Sequence, residues 1–127
     1  MPLVRIDLRR GKSAAYKRAI CDAVYRALRE TFTVPEEDRF FVVNEHDDAN
    51  LVYSRNYLSI ERGDDFVILQ LTVSNTRSTE QKKALYARIV ASLAENPGLR
   101  PQDVFISLLE VDVAKWSFGN GIAQYVT

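Results

Sequence analysis

The 127-residue sequence contains one cysteine, Cys21, and one histidine, His46. A single cysteine excludes a disulfide within the chain and is typical of a reducing compartment, which predicts a cytoplasmic protein. A single histidine leaves a metal ion without a second imidazole, and the acidic residues beside it point to alternate sides of a strand end. The sequence therefore predicts neither a metal ion nor any other cofactor.

No charge of either sign predominates, because 17 basic and 17 acidic residues are scattered along the chain. This balance gives no electrostatic reason to expect a nucleic acid or an anionic membrane as a partner. No apolar run approaches the roughly 18 residues of a membrane-spanning helix. The first ten residues carry several charges and no apolar stretch, so they do not resemble a signal peptide. A soluble protein is expected.

Apolar and polar residues alternate over residues 3–8, as in a half-buried strand. Ser13 is a suitable N-cap for a helix that reaches about Thr31. Along this helix apolar residues recur three and four positions apart and form one stripe on a polar body. A turn follows over residues 34–38, and the apolar residues of 39–45 predict a second strand.

The same pattern then recurs. Residues 66–73 are rich in β-branched and large apolar side chains and predict a third strand. Ser78 and Gln81 have the spacing of a capping box before a second amphipathic helix. Residues 96–98 (Asn-Pro-Gly) end that helix, and residues 104–111 predict a fourth strand.

One offset of about 65 residues relates four pairs of like residues: Ser13 with Ser78, Lys17 with Lys82, Asp38 with Asp103, and Glu45 with Glu110. No linker-like composition separates the halves. This predicts a single domain over residues 1–127, with pseudo-repeats over about 2–62 and 64–127. Because a β-α-β crossover makes its two strands parallel, two such units predict an α/β (α+β) fold, a four-stranded mixed sheet with two helices on one face.

The other face of this sheet also needs cover. Residues 40–43 (Phe-Phe-Val-Val) place apolar side chains on both faces of the second strand, and a chain this small cannot bury both faces by itself. A homo-oligomer is therefore expected. Two shorter segments, residues 51–60 and 117–122, are expected to form hairpins that lie across neighbouring subunits.

Three features together resemble the tautomerase superfamily: the Met-Pro start, the tandem β-α-β units, and the sequence Trp-Ser-Phe-Gly-Asn-Gly over residues 116–121. Within the superfamily they are most similar to the malonate semialdehyde decarboxylase group, and the resemblance spans the whole chain. It implies the tautomerase fold, which is also that of macrophage migration inhibitory factor, and a homotrimer. It also implies a cofactor-free enzyme that acts on a small carboxylic acid.

The resemblance implies three catalytic residues, Pro2, Asp38 and Arg77. Removal of Met1 makes the nitrogen of Pro2 a secondary amine, whose pKa an apolar pocket or an arginine lowers and a carboxylate raises. The amine can therefore act as a base or, when protonated, as an acid. Asp38 corresponds to the aspartate that activates water or partners the proline, with Glu37 as its substitute if the register differs by one. Arg77 follows the third strand, and its guanidinium suits a carboxylate.

Four further residues are implied in substrate binding: Asn75, Trp116, Phe118 and Tyr125. The three aromatic residues correspond to the family's apolar wall near the proline, and such a wall favours the loss of charge when a carboxylate leaves as CO2. At position 75 the chain departs from the decarboxylases, which carry an arginine there. Asparagine can hydrogen-bond a carboxylate but brings no charge, so the substrate is either held more weakly or is a different molecule.

The function implied most closely is that of a malonate semialdehyde decarboxylase-like lyase, which removes CO2 and leaves an aldehyde. Two other reactions use the same residues. A neutral Pro2 could move a proton in the keto–enol tautomerisation of an acid such as phenylpyruvate, and Asp38 could activate water for a hydratase or dehalogenase of unsaturated acids. A β-α-β sandwich can also be a ligand-sensing or oligomerisation module. In that case, replacing Pro2 would change nothing.

Overall fold

The computed structural model describes residues 2–126, so the predicted removal of Met1 and the last residue of the predicted second repeat, Thr127, lie outside it. The described residues form β1 (Leu3–Arg9), α1 (Ala14–Phe32), β2 (Phe40–His46), β3 (Val67–Ser74), α2 (Thr79–Glu95) and β4 (Val104–Val111). Short 3-10 helices lie at Asp48–Asn50, Tyr57–Ser59, Pro101–Asp103 and Val113–Lys115. The predicted ends of the long elements lie within one residue of those observed.

The four strands form one mixed sheet in the order β2-β1-β3-β4. β1 is parallel to β2 and β3 is parallel to β4, as two β-α-β units require, and the units meet where β1 runs antiparallel to β3. The predicted fold is therefore confirmed. The division of the chain into pseudo-repeats over about 2–62 and 64–127 stays a prediction.

The core lies between the helices and one face of the sheet. Val4, Ile6 and Leu8 of β1 alternate toward the helices, and each faces a buried aliphatic residue of β3 across the antiparallel pair. Leu28 of α1 and Ile89 of α2 are fully buried in the same cluster. Each such side chain contributes about 2 kcal/mol by leaving water, so this single cluster fixes both helices on one face.

Both helices begin at the predicted caps. Oγ of Ser13 accepts the backbone N–H of Tyr16 at 3.0 Å. Ser78 and Gln81 form a reciprocal capping box, with bonds of 3.1 Å and 3.0 Å. Each cap satisfies a backbone donor that the helix leaves open and contributes about 1 kcal/mol. The caps therefore set where each helix starts relative to the strand before it.

An ion pair joins each helix to the second strand of its own unit. Nζ of Lys17 lies 3.1 Å from Glu45, and Nζ of Lys82 lies 2.8 Å from Glu110. The two lysines take the same place in the first turns of α1 and α2, and the two glutamates lie near the ends of β2 and β4. The sequence offset of about 65 residues that relates these residues thus coincides with two like contacts.

The predicted hairpin over residues 51–60 is wrong, because the strands of the described residues 2–126 are the four above. Leu58 and Ser59 have φ of 60° and 59°, in the left-handed region, which turns the chain back on itself. The guanidinium of Arg62 then donates to the carbonyls of Ser54, Tyr57 and Ile60 at 3.1–3.3 Å. These carbonyls are therefore satisfied by a side chain rather than by a partner strand.

The predicted hairpin over residues 117–122 is also wrong. Gly119, Asn120 and Gly121 all have positive φ, so the segment coils instead of extending. The side chain of Gln124 closes the coil by accepting from the backbone N–H of Phe118 at 2.9 Å and donating to the carbonyl of Gly119 at 2.8 Å. We call residues 116–126 the tail.

The sheet face away from the helices is uncovered within the chain. It exposes four large apolar side chains of the outer strands: Phe40, Val42, Phe105 and Leu109. Between them, β1 and β3 present polar residues, among them Arg5 and Gln70, which face each other in the antiparallel register. Among residues 2–126, no helix combines the length and apolar character needed to cross a membrane.

Candidate active site

Pro2 lies immediately before β1, an inner strand of the sheet, and is buried. It lines a cavity of about 220 Å³, which we call the proline cavity. The other lining residues are Leu3, Phe40, Trp116, Ser117 and Phe118. Leu3 and Phe40 are register partners in β1 and β2, so the start of the parallel pair forms the floor of this cavity.

The tail supplies an aromatic wall to this cavity. The rings of Trp116 and Phe118 stack with centroids 5.4 Å apart and planes 12° from parallel. Phe118 also lies 6.2 Å from Phe40 and meets Tyr125 edge-on at 4.9 Å. Burial raises the pKa of Tyr125, against a smaller opposing effect of Arg77, so its phenol is neutral at neutral pH. The three aromatic residues named from the sequence therefore form one contact chain that starts beside Pro2.

A second cavity of about 460 Å³, the arginine cavity, lies at the ends of β3 and β4. Ser74, Thr76, Arg77, Val113 and Tyr125 line it. The aromatic wall borders both cavities, because Trp116 and Phe118 line the proline cavity while Tyr125 lines this one. The sequence named Arg77 and Tyr125, but it gave no signal for Ser74, which reads simply as the last residue of a buried strand.

Ser74 is joined to the aromatic wall by a hydrogen bond. Nε1–H of Trp116 donates to Oγ of Ser74 at 3.2 Å, and Ser74 is only 3% exposed. A partly buried indole N–H needs an acceptor, since leaving it unpaired costs about 1–3 kcal/mol. This bond links the tail to the sheet at the boundary of the two cavities.

Arg77 is anchored to the end of α1. Its Nη2 donates to the carbonyl of Phe32, and its Nη1 donates to the hydroxyl of Thr76, each at 2.7 Å. The guanidinium also lies over the ring of Phe32, 4.9 Å from the centroid. A cation is favoured at a helix C-terminus, where the last carbonyls carry partial negative charge. The arginine at the start of α2 is thus stabilised by the other helix.

Asp38 is half-buried and lies two residues before Phe40. Because Phe40 pairs with Leu3, Asp38 and Pro2 lie at the same edge of the sheet. Its backbone N–H donates to the carbonyl of Pro35 at 3.1 Å, which closes the turn after α1. Glu37, the substitute considered from the sequence, is exposed and lines a separate cavity with Glu36, Tyr25, Arg29 and Arg39.

Asn75 is exposed and lies outside the residues that line the proline and arginine cavities. Its backbone N–H donates to the carbonyl of Val111 at 2.9 Å and extends the β3–β4 ladder by one bond. Its side chain is therefore placed at the rim, beside Thr76, rather than inside. The structure brings Pro2 and the aromatic wall together and sets Arg77 beyond that wall.

His46 lies at the opposite end of the sheet. Its Nε2 is 2.6 Å from Oδ1 of Asp7. The cavity there, about 580 Å³, is lined by charged residues that are largely paired among themselves and with nearby acids. The pairs are Arg9 with Asp48, Arg10 with Asp47, and Lys12 with Asp65, at 2.7–2.8 Å. Among residues 2–126 no group of three histidine, cysteine or acidic side chains is arranged to hold a metal ion.

A second aromatic cavity, about 300 Å³, lies at the starts of β3 and β4. Tyr53 stacks on Phe66 with centroids 4.1 Å apart, and Phe66 meets Phe105 edge-on at 6.2 Å. This cavity takes the place in the second β-α-β unit that the proline cavity takes in the first. Phe66 and Val67 lie where the first unit has Pro2 and Leu3, and no reactive amine is present there.

Comparison with known sequences gives one family. A family model described as "Tautomerase enzyme" matches residues 38–119, and a second model with the same description matches residues 2–59. The chain is 37% identical over 126 residues to the "Probable tautomerase YusQ" of Bacillus subtilis (strain 168), a match that covers 99% of both chains.

Solved structures agree with the sequence comparison. FG41 malonate semialdehyde decarboxylase, inhibited by 3-bromopropiolate, is 38% identical to this chain with a TM-score of 0.91, over 97% of this chain and 93% of that one. Another malonate semialdehyde decarboxylase is 32% identical with a TM-score of 0.90, over 97% and 95%. A fused 4-OT described as a symmetric trimer is 18% identical, over 97% of each chain, and its TM-score of 0.79 shows the shared fold.

Proposed function

The chain belongs to the tautomerase family, and on that premise we propose that it is a decarboxylase of a short 3-oxo acid such as malonate semialdehyde. The observation that carries the proposal is the burial of Pro2 in a small cavity walled by Trp116 and Phe118, next to a cavity that presents Arg77. The similarity to two malonate semialdehyde decarboxylases over almost the whole chain supports it.

In the proposed reaction the amine of Pro2 is protonated and donates a hydrogen bond to the carbonyl oxygen of the substrate. The bond between the α-carbon and the carboxylate breaks, CO2 leaves, and the electron pair moves toward that oxygen to give an enol. Proton transfer from the amine stabilises the developing charge. Protonation of carbon then yields the aldehyde. Asp38, at the same sheet edge, favours the charged amine because a nearby carboxylate raises an amine pKa.

Arg77 binds the carboxylate in this proposal. A guanidinium has five N–H donors. The contacts to Phe32 and Thr76 use one donor on each Nη, which leaves others for a substrate oxygen. The aromatic wall excludes water from the departing carboxylate and so favours the loss of its charge. The anchoring of Arg77 thus holds the substrate at one end while the amine acts at the other.

A second function, keto–enol tautomerisation, is favoured by one observation. Position 75 is an exposed, uncharged asparagine, so the site presents a single arginine at this loop. A singly held oxo acid such as phenylpyruvate needs only proton transfer by a neutral Pro2. The relative YusQ is itself described as a probable tautomerase.

We further propose that the protein is a homotrimer in the cytoplasm. The exposed apolar residues Phe40, Val42, Phe105 and Leu109 lie on one face of the sheet, and a monomer would leave them in water. A fused 4-OT of the same fold is described as a symmetric trimer. The cytoplasmic location rests on the single cysteine.

Proton NMR of malonate semialdehyde incubated with untagged protein tests the proposed function. The expected result is rapid formation of acetaldehyde by the wild type and a loss of about 100-fold or more in Pro2→Ala. Pro101→Ala, which changes a proline of a remote 3-10 helix, is the matched control. The mass of the chain must first show that Met1 is absent, since only then does Pro2 carry an amine.

Unchanged malonate semialdehyde would overturn the decarboxylase proposal. Turnover of phenylpyruvate that depends on Pro2 would then establish the tautomerase, and turnover of acetylenic or haloacrylic acids would establish a hydratase or dehalogenase. A chain that retains Met1, or a Pro2→Ala variant as active as the wild type, would remove the amine from the mechanism altogether.

A further inference from the structure

We infer that Ser74 is a positioning residue that fixes the indole of Trp116 and thereby keeps the aromatic wall closed over the proline cavity. Ser74 itself lies in the arginine cavity and acts through Trp116. The kinetic part of this inference rests on the proposed function. The structural part does not, because it concerns the placement of one side chain.

The contacts of the tail give the first argument. Between described residues, its other hydrogen bonds join tail residues to one another: Phe118 with Gln124, Gln124 with Gly119, Ile122 with Gly119, and Val126 with Ala123. The bond from Trp116 reaches out of the tail to the end of β3. It therefore holds the wall in place relative to the sheet, whereas the internal bonds only hold the coil together.

The exposure of the two partners gives the second argument. Ser74 is nearly fully buried, at the end of a strand whose register with β4 is fixed up to Val111. Trp116 is half-buried and belongs to a segment without regular secondary structure. A rigid acceptor thus meets a donor on an irregular segment, and the rigid partner sets the position of the other.

The aromatic contacts carry this position onward. Phe118 stacks on Trp116, and Phe118 also contacts Phe40 and Tyr125. A rotation of the indole would therefore disturb the ring that closes the proline cavity as well. Water would reach the amine and the departing carboxylate, and the advantage of an apolar wall in the transition state would be reduced.

The fluorescence of the protein reports directly on this contact, because Trp116 is the only tryptophan. Ser74→Ala is expected to shift the emission to longer wavelength and to increase quenching by acrylamide about twofold or more. Ser74→Thr, which keeps the hydroxyl and suits a strand, is expected to restore the wild-type values. Ser92→Ala removes another buried serine, in α2, and is the matched control for loss of a buried hydroxyl.

The kinetic readout separates positioning from mere stability. Ser74→Ala is expected to lower kcat for acetaldehyde formation about threefold to tenfold, the range expected for one hydrogen bond, and to leave KM nearly unchanged because Arg77 still holds the carboxylate. Trp116→Phe is expected to lower kcat similarly. Adding Ser74→Ala to Trp116→Phe is expected to cost nothing more, since the indole N–H is already absent. Thermal unfolding of each variant confirms that it is folded.

The outcomes distinguish the two proposals. Emission and quenching in Ser74→Ala equal to those of Ser92→Ala would overturn the positioning of Trp116, whatever the activity. Altered quenching with an unchanged kcat would show that the wall plays no part in turnover and would also overturn the inference. If the wild type forms no acetaldehyde, the proposed function fails, while the quenching comparison still decides whether Ser74 fixes Trp116.

Discussion

Nη2 of Arg77 lies 2.7 Å from the carbonyl oxygen of Phe32, so the loop after β3 is tied to the last residue of α1. The two elements belong to different β-α-β units. The bond is charge-assisted and part-buried, and the ring of Phe32 lies under the same guanidinium. The residue proposed to bind the substrate thus also joins the two halves of the fold.

Arg77→Lys should therefore impair both stability and substrate binding. An ammonium cannot bond Phe32, Thr76 and a carboxylate with the planar fork of a guanidinium. We expect a loss of about 1 kcal/mol in the free energy of unfolding, measured with urea, and a rise of about tenfold or more in KM for malonate semialdehyde. Arg88→Lys, which alters an exposed ion pair with Glu30, should change neither. An unchanged KM in Arg77→Lys would remove the carboxylate-binding role.

Asn75→Arg should strengthen binding of the substrate. The position is exposed, so the longer side chain meets no packed neighbour. A second cation at the rim of the arginine cavity would turn a neutral contact into a charge-assisted one, which is roughly twice as strong. We expect KM for malonate semialdehyde to fall about threefold at low salt and the gain to shrink as salt screens it. Asn75→Gln lengthens the side chain without charge, and an equal fall there would contradict the electrostatic explanation.

The ion pair between Lys17 and Glu45 should make stability depend on pH in the acid range. The hydrogen bond from Lys17 holds the pKa of Glu45 below its ordinary value of 4.5. A lowered folded-state pKa adds stability above the unfolded value, and this is lost as the pH falls through the folded one. Glu45→Gln should therefore lower the urea midpoint at about pH 7 but not at about pH 3. Glu61→Gln should give no such difference, and a deficit that persists at about pH 3 would contradict the linkage.

Leu109→Lys should dissociate the proposed trimer. Leu109 is 47% exposed on the uncovered face of the sheet, and a lysine there would bury an unpaired charge at an interface. Light scattering coupled to size-exclusion chromatography should show the wild type as a trimer and the variant as a monomer. Val52→Lys changes a residue that is 86% exposed in a loop and should leave the trimer intact. A monomeric wild type would refute the assembly itself.

The strands and helices followed from the sequence because their signals are local. Alternation marks β1, and Ser13 and Ser78 cap the helices with bonds that span three residues. The order of the strands followed because a β-α-β connection restricts the topology. These features depend on near neighbours in the sequence, so one sequence suffices to predict them.

The remainder depended on contacts between distant residues. The segment over residues 51–60 coils because Arg62 satisfies its carbonyls, and no periodicity announces such a contact. The partnership of Ser74 and Trp116 spans 42 residues, and that of Phe32 and Arg77 spans 45. A serine at a strand end and a carbonyl at a helix end are ordinary features, so only the folded chain distinguishes these two.

The two aromatic cavities differ in a way that no side-chain substitution removes. Duplicating a β-α-β unit within one polypeptide duplicates its side chains, but a polypeptide has a single α-amino group. Phe66 and Val67, at the start of β3, are joined to the residues before them by ordinary amide bonds. On the proposed mechanism, a reagent that alkylates the catalytic nitrogen would therefore saturate at one equivalent per chain. The assembled enzyme would carry half as many reaction centres as structural units, and the other half would be left for architecture.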